Sequence, residues 1–301
     1  MVKNVAVIGT GAWGSVLAKL VQAPTVVSWS RRSGADLWQS IGRSQIIVSA
    51  VSMAGVQEVI NELRGQLAPA QIIVTTTKGL DLATNFTPAQ LWTAAFPQNA
   101  IVVLSGPNLS AEIQQGLPAA TVVASHHPVA AVQVQTVFSS AQFRVYTNDD
   151  PLGVELGGTV KNVMAIAAGT CDGLGLGTNA KAALMTRGLA EIIRIGKQWG
   201  AKPETFYGLS GLGDLLATCN SVLSRNYQVG YGLAQGNTLE QVLTGLTGTA
   251  EGVNTTKVLM QIAHQNQVEL PITMMVDRLL QGQITPKEAL TALMMRDSKS
   301  E

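Results

Sequence analysis

The sequence has little charge, and this scarcity excludes several classes of protein. Charged residues make up only 13% of the 301 residues, which is about half the usual share. The net charge is +1 and the basic residues are scattered, so we expect no nucleic-acid surface. No uninterrupted apolar stretch approaches the roughly 20 residues of a membrane helix, so we expect no membrane insertion.

Cysteine and histidine are also scarce. The two cysteines, Cys171 and Cys219, lack the spacing of metal ligands and suit a reducing compartment, so we expect a cytoplasmic protein without a bound metal. The three histidines lie in a predicted loop, at His126 and His127, and in a helical pattern, at His264. None is placed like a catalytic base, so we expect proton transfer to use another residue type.

Hydrophobic residues, by contrast, make up 46% of the chain, and in the first half they alternate between two patterns. Candidate strands lie at 4–8, 25–29, 46–51, 72–76, 100–104, 119–124 and 143–146, with helical patterns at 12–22, 54–66, 87–95, 109–115 and 129–140. This alternation predicts an open α/β sheet, parallel at least in its first part. The stretch 30–45 is too short for a full-length helix and another strand, so we expect one unit of the sheet to be trimmed.

No convincing strand follows Pro151. Helical patterns lie instead at 151–173, 179–199, 225–235, 239–244, 251–266, 271–281 and 286–295. We therefore predict an α/β domain over 1–149 and an all-helical domain over 150–301. The cleft between two such halves is the default place for a small-molecule site.

Three glycines follow the first strand in the stretch VAVIGTGAWGSVLAKL. Gly9, Gly11 and Gly14 form a G-x-G-x-x-G pattern between a strand and a helix, which is the setting of a dinucleotide site. The first glycine makes the turn, the second admits a pyrophosphate, and the third lets helix and strand pack closely. The helix N-terminus then favours the phosphates. The alternatives are a glycine turn without a ligand and a signal peptide, against which Lys19 argues by interrupting the apolar run.

The end of the second strand indicates which nicotinamide cofactor binds. An acidic residue normally stands there and holds the ribose 2′-hydroxyl of NAD. Here the strand runs into Ser30-Arg31-Arg32, and two guanidinium groups suit a 2′-phosphate. We therefore favour NADPH over NADH. The alternative is two solvated surface arginines without a role in selectivity.

Polar residues also follow two later strands. Lys78 ends the strand at 72–76, and Ser105, Gly106 and Asn108 end the strand at 100–104. Ligands of doubly wound sheets gather outside the carboxyl ends of the strands. We expect Asn108 to cap the helix that follows, so that a further helix N-terminus points at the cleft. Each segment could equally be an ordinary strand-to-helix turn.

The long helix at 151–173 carries a sharper signal. Gly158, Lys161 and Ala165 share one face by helical spacing. A mid-helix glycine costs about 1 kcal/mol relative to alanine, so the pair Gly157-Gly158 indicates that something approaches this face closely. The alternative is helix packing on small residues beside a solvated lysine.

A glycine-rich connection, GLSGLGDLLATCNSVLSRN, carries further polar residues. Asp214 is a candidate partner of Lys161. We expect Ser224 to cap a helix that Arg225 and Asn226 open. Arginine, amide and free N–H groups at a helix start predict a phosphate pocket.

Together these motifs resemble the bacterial NAD(P)-dependent glycerol-3-phosphate dehydrogenases. The resemblance rests on GTGAWG, TTKGL, SGPNLSAE, VKNVMAIAAGTCDGLGLGTNAKAALMTRGL, GLGDLLATC and TAEGVNTT, which span nearly the whole chain in family order. It implies a Rossmann-type dinucleotide-binding domain followed by an all-α domain like that of 6-phosphogluconate dehydrogenase. It also implies a homodimer that reduces dihydroxyacetone phosphate to sn-glycerol 3-phosphate with NADPH or NADH, which supplies glycerophospholipid synthesis.

The resemblance implies a role for each matching residue. Lys161 resembles the catalytic lysine, and Lys78 a second active-site lysine, with Asp214 beside them. The implied substrate contacts are Lys78, Gly106, Asn108, Lys161, Asp214, Ser224, Arg225 and Asn226. The implied cofactor contacts are Gly9, Gly11, Ala12, Trp13, Gly14, Arg31, Arg32, Lys78, Ser110, Arg225 and Glu251. There are two departures: Asn108 replaces the more usual serine or threonine, and the trimmed stretch after Arg32 removes a helix and a strand that relatives usually carry.

These residues lead to a hypothesis for the mechanism. Hydride passes from the nicotinamide to the ketone carbon, and protonated Lys161 gives its proton to the oxygen. A free lysine has a pKa near 10.4, which we expect Lys78 to lower by charge repulsion, while Asp214 orients the ammonium and partly opposes the shift. Arg225 and the helix start at Asn226 would hold the phosphate, so that binding energy positions the ketone.

Two rival functions remain open. One is a β-hydroxyacid-type dehydrogenase of the same architecture, in which a carboxylate substrate replaces the phosphate. The other is an NADP-sensing binding protein without catalysis. It would keep the glycine turn but would have no need of Lys161, Asp214 and Arg225 together.

Overall fold

The first half of the chain forms one seven-stranded sheet. The structure, a computed structural model, describes residues 2–297, so that Met1 and 298–301, the outer ends of the two predicted domains, lie outside the described residues. The strands are β1 (Asn4–Ile8), β2 (Thr25–Trp29), β3 (Ile46–Ser49), β4 (Ile72–Thr75), β5 (Ile101–Ser105), β6 (Ala119–Ala124) and β7 (Phe143–Asn148). Their order is β2-β1-β3-β4-β5-β6-β7.

Strands β1 to β5 all run parallel, which confirms the prediction for the first part of the sheet. Strand β6 is antiparallel to β5 and parallel to β7. The central strands β3 and β4 are buried along their whole length, as runs of branched apolar residues covered on both faces require.

Helices cover both faces of this sheet. They are α1 (Ala12–Leu20), α2 (Leu37–Ile41), α3 (Met53–Leu63), α4 (Pro88–Ala95), α5 (Ser110–Gln114) and α6 (Pro128–Phe138). Leu17 of α1 and Val134 of α6 pack on one face, whereas Val56 of α3 and Trp92 of α4 pack on the other. The predicted α/β fold class is therefore confirmed.

The connection between β2 and β3 is short, as predicted. It holds a 3-10 turn over 31–33 and the five-residue helix α2, and β3 pairs directly with β1. Strand β2 consequently forms the edge of the sheet. The loop after β2 therefore has a neighbouring strand on one side only.

The second half of the described chain is helical, and no strand follows Asn148 in it. Its helices are α7 (Pro151–Gly173), α8 (Gly177–Gln198), α9 (Asp214–Cys219), α10 (Arg225–Ala234), α11 (Leu239–Gly245), α12 (Glu251–Asn266), α13 (Pro271–Leu280) and α14 (Pro286–Met294). Helix α7 is buried along nearly its whole length, because the other helices pack around it. None of the described helices is long and apolar enough to cross a membrane.

The glycine-rich segment before Ser224 forms helical turns and a short helix rather than an irregular connection. A 3-10 turn covers 203–207, a π-helical turn covers 209–213, and α9 follows at once. The expectation of a plain connection is wrong here, because Leu215 and Cys219 are fully buried and fix this six-residue helix by packing. A helix this short gains its stability from tertiary contacts rather than from propensity.

Candidate active site

The carboxyl ends of the parallel strands bring five loops to one edge of the sheet. The glycine turn at Gly9 follows β1, Arg31 follows β2, Met53 opens α3 after β3, Lys78 follows β4, and Gly106 follows β5. This edge faces the helical half, which touches it through α7 and α12. The sequence places most of the predicted site residues along this edge.

Two of the three glycines of the first turn, Gly9 and Gly14, are required by the geometry of the chain itself. Gly9 has a φ of +99°, and a Cβ there would lie 2.8 Å from the carbonyl oxygen of Ala50. A Cβ at Gly14 would overlap the carbonyl oxygen of Gly9, so only glycine lets α1 pack this closely on the turn. Gly11, in contrast, is exposed and would meet nothing within 4 Å.

The start of α1 fits the diphosphate of a dinucleotide. Gly11 is the N-cap residue and makes no side-chain cap, so the first N–H groups of the helix remain open to a ligand. Ala12 opens the helix and is exposed. Trp13 is half-buried against the apolar layer that Leu17 joins.

Both arginines after β2 are exposed in the 3-10 turn. Nη1 of Arg31 lies 2.6 Å from Oε2 of Glu58 on α3. Arg32 makes no hydrogen bond or ion pair within the part of the chain that the structure describes. The two guanidinium groups thus stand at the edge where a 2′-phosphate is expected, in two different electrostatic settings.

Two lysines from opposite halves of the chain meet on one carboxylate. Nζ of Lys161, on α7, lies 2.8 Å from Oδ1 of Asp214. Nζ of Lys78, after β4, lies 2.6 Å from Oδ2 of the same residue. Lys161 also donates to the hydroxyl of Thr218, and Lys78 reaches the carbonyl oxygen of Gly106 at 3.4 Å. The expected contact between Asp214 and Lys161 is therefore present, and Lys78 shares it.

Burial governs the charge state of this cluster. The pKa of Lys161 is lowered to about 8, first because burial disfavours the ammonium; the Asp214 carboxylate opposes this shift and Lys78 adds to it. Burial alone would raise the pKa of Asp214, but the two ammonium groups outweigh it and hold that pKa below its usual value. The expected repulsion by Lys78 is present, although burial is the larger cause.

The paired glycines of α7 admit other parts of this chain. A Cβ at Gly158 would collide with Oγ of Ser105 and press on the side chain of Lys78. A Cβ at Gly157 would lie 2.6 Å from the carbonyl oxygen of Ser210. The close approach that the sequence predicts is thus made by the strand ends and by the π-helical turn, and it seats Lys161 beside Lys78.

Three further polar contacts join the two halves. The hydroxyl of Thr159 accepts from the backbone N–H of Gly79 at 3.1 Å. Glu155 accepts from the N–H of Ala89 at 2.8 Å, and Glu251 from the N–H of Met53 at 3.2 Å. Glu155 and Glu251 thereby each lie at the N-terminus of a helix that follows a strand, α4 and α3 respectively.

The residues around the start of α10 form a second group. The hydroxyl of Ser224 accepts from the N–H of Tyr227, which confirms the predicted cap. Oδ1 of Asn226 accepts from the N–H of Gly252 at 2.9 Å, and a Cβ at Gly252 would also press on the carbonyl of Asn162, next to Lys161. Arg225 is exposed and donates to the carbonyl oxygen of Thr249 at 3.1 Å.

The loop after β5 differs from the prediction in one respect. Asn108 does not cap α5; its amide donates to the carbonyl of Ala120 and its oxygen accepts from Thr121, because β6 returns antiparallel beside the loop and offers these partners. Ser110 is the first residue of α5 and is half-buried. Gly106 packs tightly against Thr121.

Sequence reasoning assigned no role to two residues of this region. Thr218 lies one helical turn after Asp214 and bonds both Asp214 and Lys161, so its i, i+4 spacing was a usable signal. Glu155 is 2% exposed, and burial raises its pKa to about 7. Nothing in its local sequence distinguishes it from a surface glutamate of an amphipathic helix.

A cavity of about 550 Å³ lies elsewhere, between α7, α8, α13 and α14. Its lining contains none of the predicted site residues and is mostly apolar, with Leu279 and Leu293 on one side and Leu184 on the other. The predicted site residues therefore lie at the edge of the sheet and on the helices that face it, away from this cavity.

Family models and curated relatives both match this chain over most of its length. The family model for the NAD-dependent glycerol-3-phosphate dehydrogenase N-terminus matches residues 32–131, and the model for the C-terminus matches 150–291. The chain is 60% identical over 301 residues to a glycerol-3-phosphate dehydrogenase [NAD(P)+] from Nostoc sp., covering 99% of this chain and 98% of that one. The corresponding protein of Trichormus variabilis is 61% identical, with the same coverage.

A solved structure extends the match to three dimensions. The crystal structure of glycerol-3-phosphate dehydrogenase from Coxiella burnetii superposes with a TM-score of 0.93 at 32% identity, covering 98% of this chain and 99% of that chain. Sequence, family models and fold agree over nearly the whole length. The chain therefore belongs to the family of NAD-dependent glycerol-3-phosphate dehydrogenases.

Proposed function

We propose that the protein reduces dihydroxyacetone phosphate to sn-glycerol 3-phosphate, with NADPH as the preferred cofactor and NADH as a usable one. The observation that carries this proposal is the junction of Lys78 and Lys161 on Asp214, which lies between the α/β half and the helical half. It places a buried, titratable ammonium beside the edge where the glycine turn opens. When bound, the nicotinamide supplies the hydride.

Lys161 is the proposed general acid. Its pKa, lowered by burial to about 8, keeps the ammonium mostly protonated at neutral pH while making it a stronger acid than a free lysine. Asp214 and Thr218 fix the position of the nitrogen through two hydrogen bonds. Lys78 holds the other carboxylate oxygen and adds a second positive charge that favours negative charge on the ketone oxygen.

The phosphate of the substrate is proposed to bind at the start of α10. Arg225 is exposed there, and the Ser224 cap fixes the first turn of the helix. Asn226 ties this turn to Gly252 at the N-terminus of α12, and Gly252 packs on the backbone of Asn162 beside Lys161. Binding energy from the phosphate would thus orient the ketone toward Lys161. Gly106 and Asn108 complete the proposed substrate site on the opposite side, and Ser110 is proposed to lie near the cofactor.

The cofactor is proposed to cross the carboxyl end of β1. Gly9, Gly11, Ala12 and Gly14 would receive the diphosphate, with Trp13 alongside it. Arg31 and Arg32 would face the 2′-phosphate, while Lys78, Arg225 and Glu251 would lie toward the nicotinamide side. We also propose a domain boundary at 149/150, a homodimer, a cytoplasmic location and a role in glycerophospholipid supply.

One assay tests the reaction. The purified protein should oxidise NADPH, followed at 340 nm, with dihydroxyacetone phosphate and not with unphosphorylated dihydroxyacetone or 2-keto acids at equal concentration. Turnover of NADP⁺ with a 3-hydroxy acid would support the β-hydroxyacid rival instead. Tight NADPH binding without turnover of any of these substrates would support the sensing protein.

A further inference from the structure

The ion pair between Arg31 and Glu58 crosses the edge where the adenosine end of a dinucleotide is expected. Arg31 follows β2, and Glu58 lies in the second turn of α3, which follows β3. The strand between these two is β1, which ends in the glycine turn. Nη1 of Arg31 and Oε2 of Glu58 are 2.6 Å apart, with side chains 69% and 44% exposed.

On the basis of the proposed cofactor site, we infer that Glu58 is a specificity-determining residue that competes with the cofactor 2′-phosphate for Arg31. A 2′-phosphate and a carboxylate are both acceptors that suit the planar guanidinium fork. Both are also negative, so Glu58 repels a 2′-phosphate that approaches Arg31. NADH carries no charge at this position and leaves the ion pair undisturbed.

Glu58 could instead hold Arg31 in the position that binds the 2′-phosphate, but the energies favour competition for Arg31. An ion pair this exposed contributes little to stability, so Arg31 can leave Glu58 at small cost. Holding the exposed side chain of Arg31 in place would therefore strengthen NADPH binding little. The Glu58 carboxylate, in contrast, would repel the 2′-phosphate of every NADPH that binds to Arg31. Arg32 makes no ion pair within the described residues and remains available to the phosphate. Glu58 therefore restrains the preference for NADPH.

The test is calorimetric binding to the full-length protein, without a substrate. The probes are NADPH, NADH, adenosine 2′,5′-bisphosphate and adenosine 5′-monophosphate. Glu58→Gln should tighten binding of NADPH and of the bisphosphate by about three- to tenfold, and should change Kd for NADH and the monophosphate by less than about twofold. The gain should shrink in high salt, because the two charges are exposed and screened.

Glu62→Gln is the matched control. Glu62 is exposed on the same helix, one turn further from the strand ends, and the substitution removes the same charge. It should leave all four Kd values within about twofold of the unsubstituted protein.

Three outcomes overturn the inference: unchanged or weaker NADPH binding by Glu58→Gln, equal tightening of NADH, or an equal gain in Glu62→Gln. If the unsubstituted protein binds neither NADPH nor NADH, the proposed function itself fails. The two failures are therefore distinguishable in one set of titrations.

Discussion

Two groups of charges in this protein differ mainly in their access to water. Lys78, Asp214 and Lys161 meet in the interface between the halves, where the side chains of Asp214 and Lys161 are only 3% and 7% exposed. Arg31 and Glu58 pair at the rim, where both side chains are exposed to solvent. The same kind of contact, an ammonium or guanidinium on a carboxylate, therefore has different consequences. Burial shifts pKa values and makes each partner costly to remove, whereas solvent screens the rim pair.

The buried group should give the largest loss of activity. We expect Lys161→Ala to lower kcat by about 10²-fold or more, because general acid catalysis contributes that much. The measurement is steady-state NADPH oxidation with dihydroxyacetone phosphate, with circular dichroism as the check on folding. A loss of less than tenfold with the fold intact would show that Lys161 is not the acid.

Removing the shared carboxylate should change both the pH profile and stability. In the unsubstituted protein we expect reduction to slow as pH rises through about 8, where Lys161 loses its proton. Asp214→Asn removes the charge that supports this ammonium while Lys78 remains, so the fall should move to lower pH. Breaking a buried pair should also lower the free energy of unfolding by about 3 kcal/mol. An unshifted kcat profile would contradict the role of Asp214.

Glu155 is buried but lies outside the group of Lys78, Asp214 and Lys161, so it tests the effect of burial alone. Burial raises the pKa of this carboxyl from 4.5 to about 7, so its contribution to stability is complete below pH 4.5 and is lost as pH rises through about 7. The loss is at most about 3 kcal/mol, at 1.36 kcal/mol per pKa unit. Glu155→Gln keeps an oxygen for the N–H of Ala89 and cannot ionise, so it should lack this decline.

The measurement is urea unfolding at intervals between pH 4.5 and 8.5. Relative to the unsubstituted protein, Glu155→Gln should gain stability as pH rises, whereas the exposed control Glu62→Gln should follow the unsubstituted curve. Parallel curves for Glu155→Gln would show that Glu155 is not protonated in the folded state near neutral pH.

The exposed pair should give the smallest change in stability. Arg31→Gln should alter the free energy of unfolding by less than about 1 kcal/mol, because exposed ion pairs contribute at most that much. It should nevertheless raise Kd for NADPH severalfold and leave Kd for NADH nearly unchanged. A destabilisation comparable with that of Asp214→Asn would remove the distinction between the two groups.

The local sequence pattern was enough to predict the strands with continuous apolar runs, and also the caps and turns with characteristic residues. The branched runs of β1 and β3, the trimmed stretch after Arg32 and the start of α10 at Ser224 were predicted within a few residues. The family membership and the function of its relatives followed from motifs that span the chain, and the comparisons confirm the family. These features depend on residues that are close together in the sequence, because a buried strand, a cap or a tight turn needs particular residues at fixed spacing.

Most long-range partners were not predictable from local pattern, although Asp214 was expected beside Lys161. Asn108 turned to Thr121 because β6 returns antiparallel, and α9 formed within a predicted connection because its apolar residues pack against α7. Glu155 and Glu58 carried no local signal at all. Their properties depend on groups that are distant in the chain, such as Ala89 and Arg31.

The sequence by itself determined the glycine turn, the order of the strands and the longer helices along the chain, and the residue types available for chemistry. Only the tertiary structure decided that Lys78 and Lys161 share one carboxylate and that α7 is seated through Gly157 and Gly158 against the strand ends. The physical reason is desolvation. The pKa of a lysine and the strength of an ion pair depend on which distant residues exclude water, and the fold alone brings those residues together.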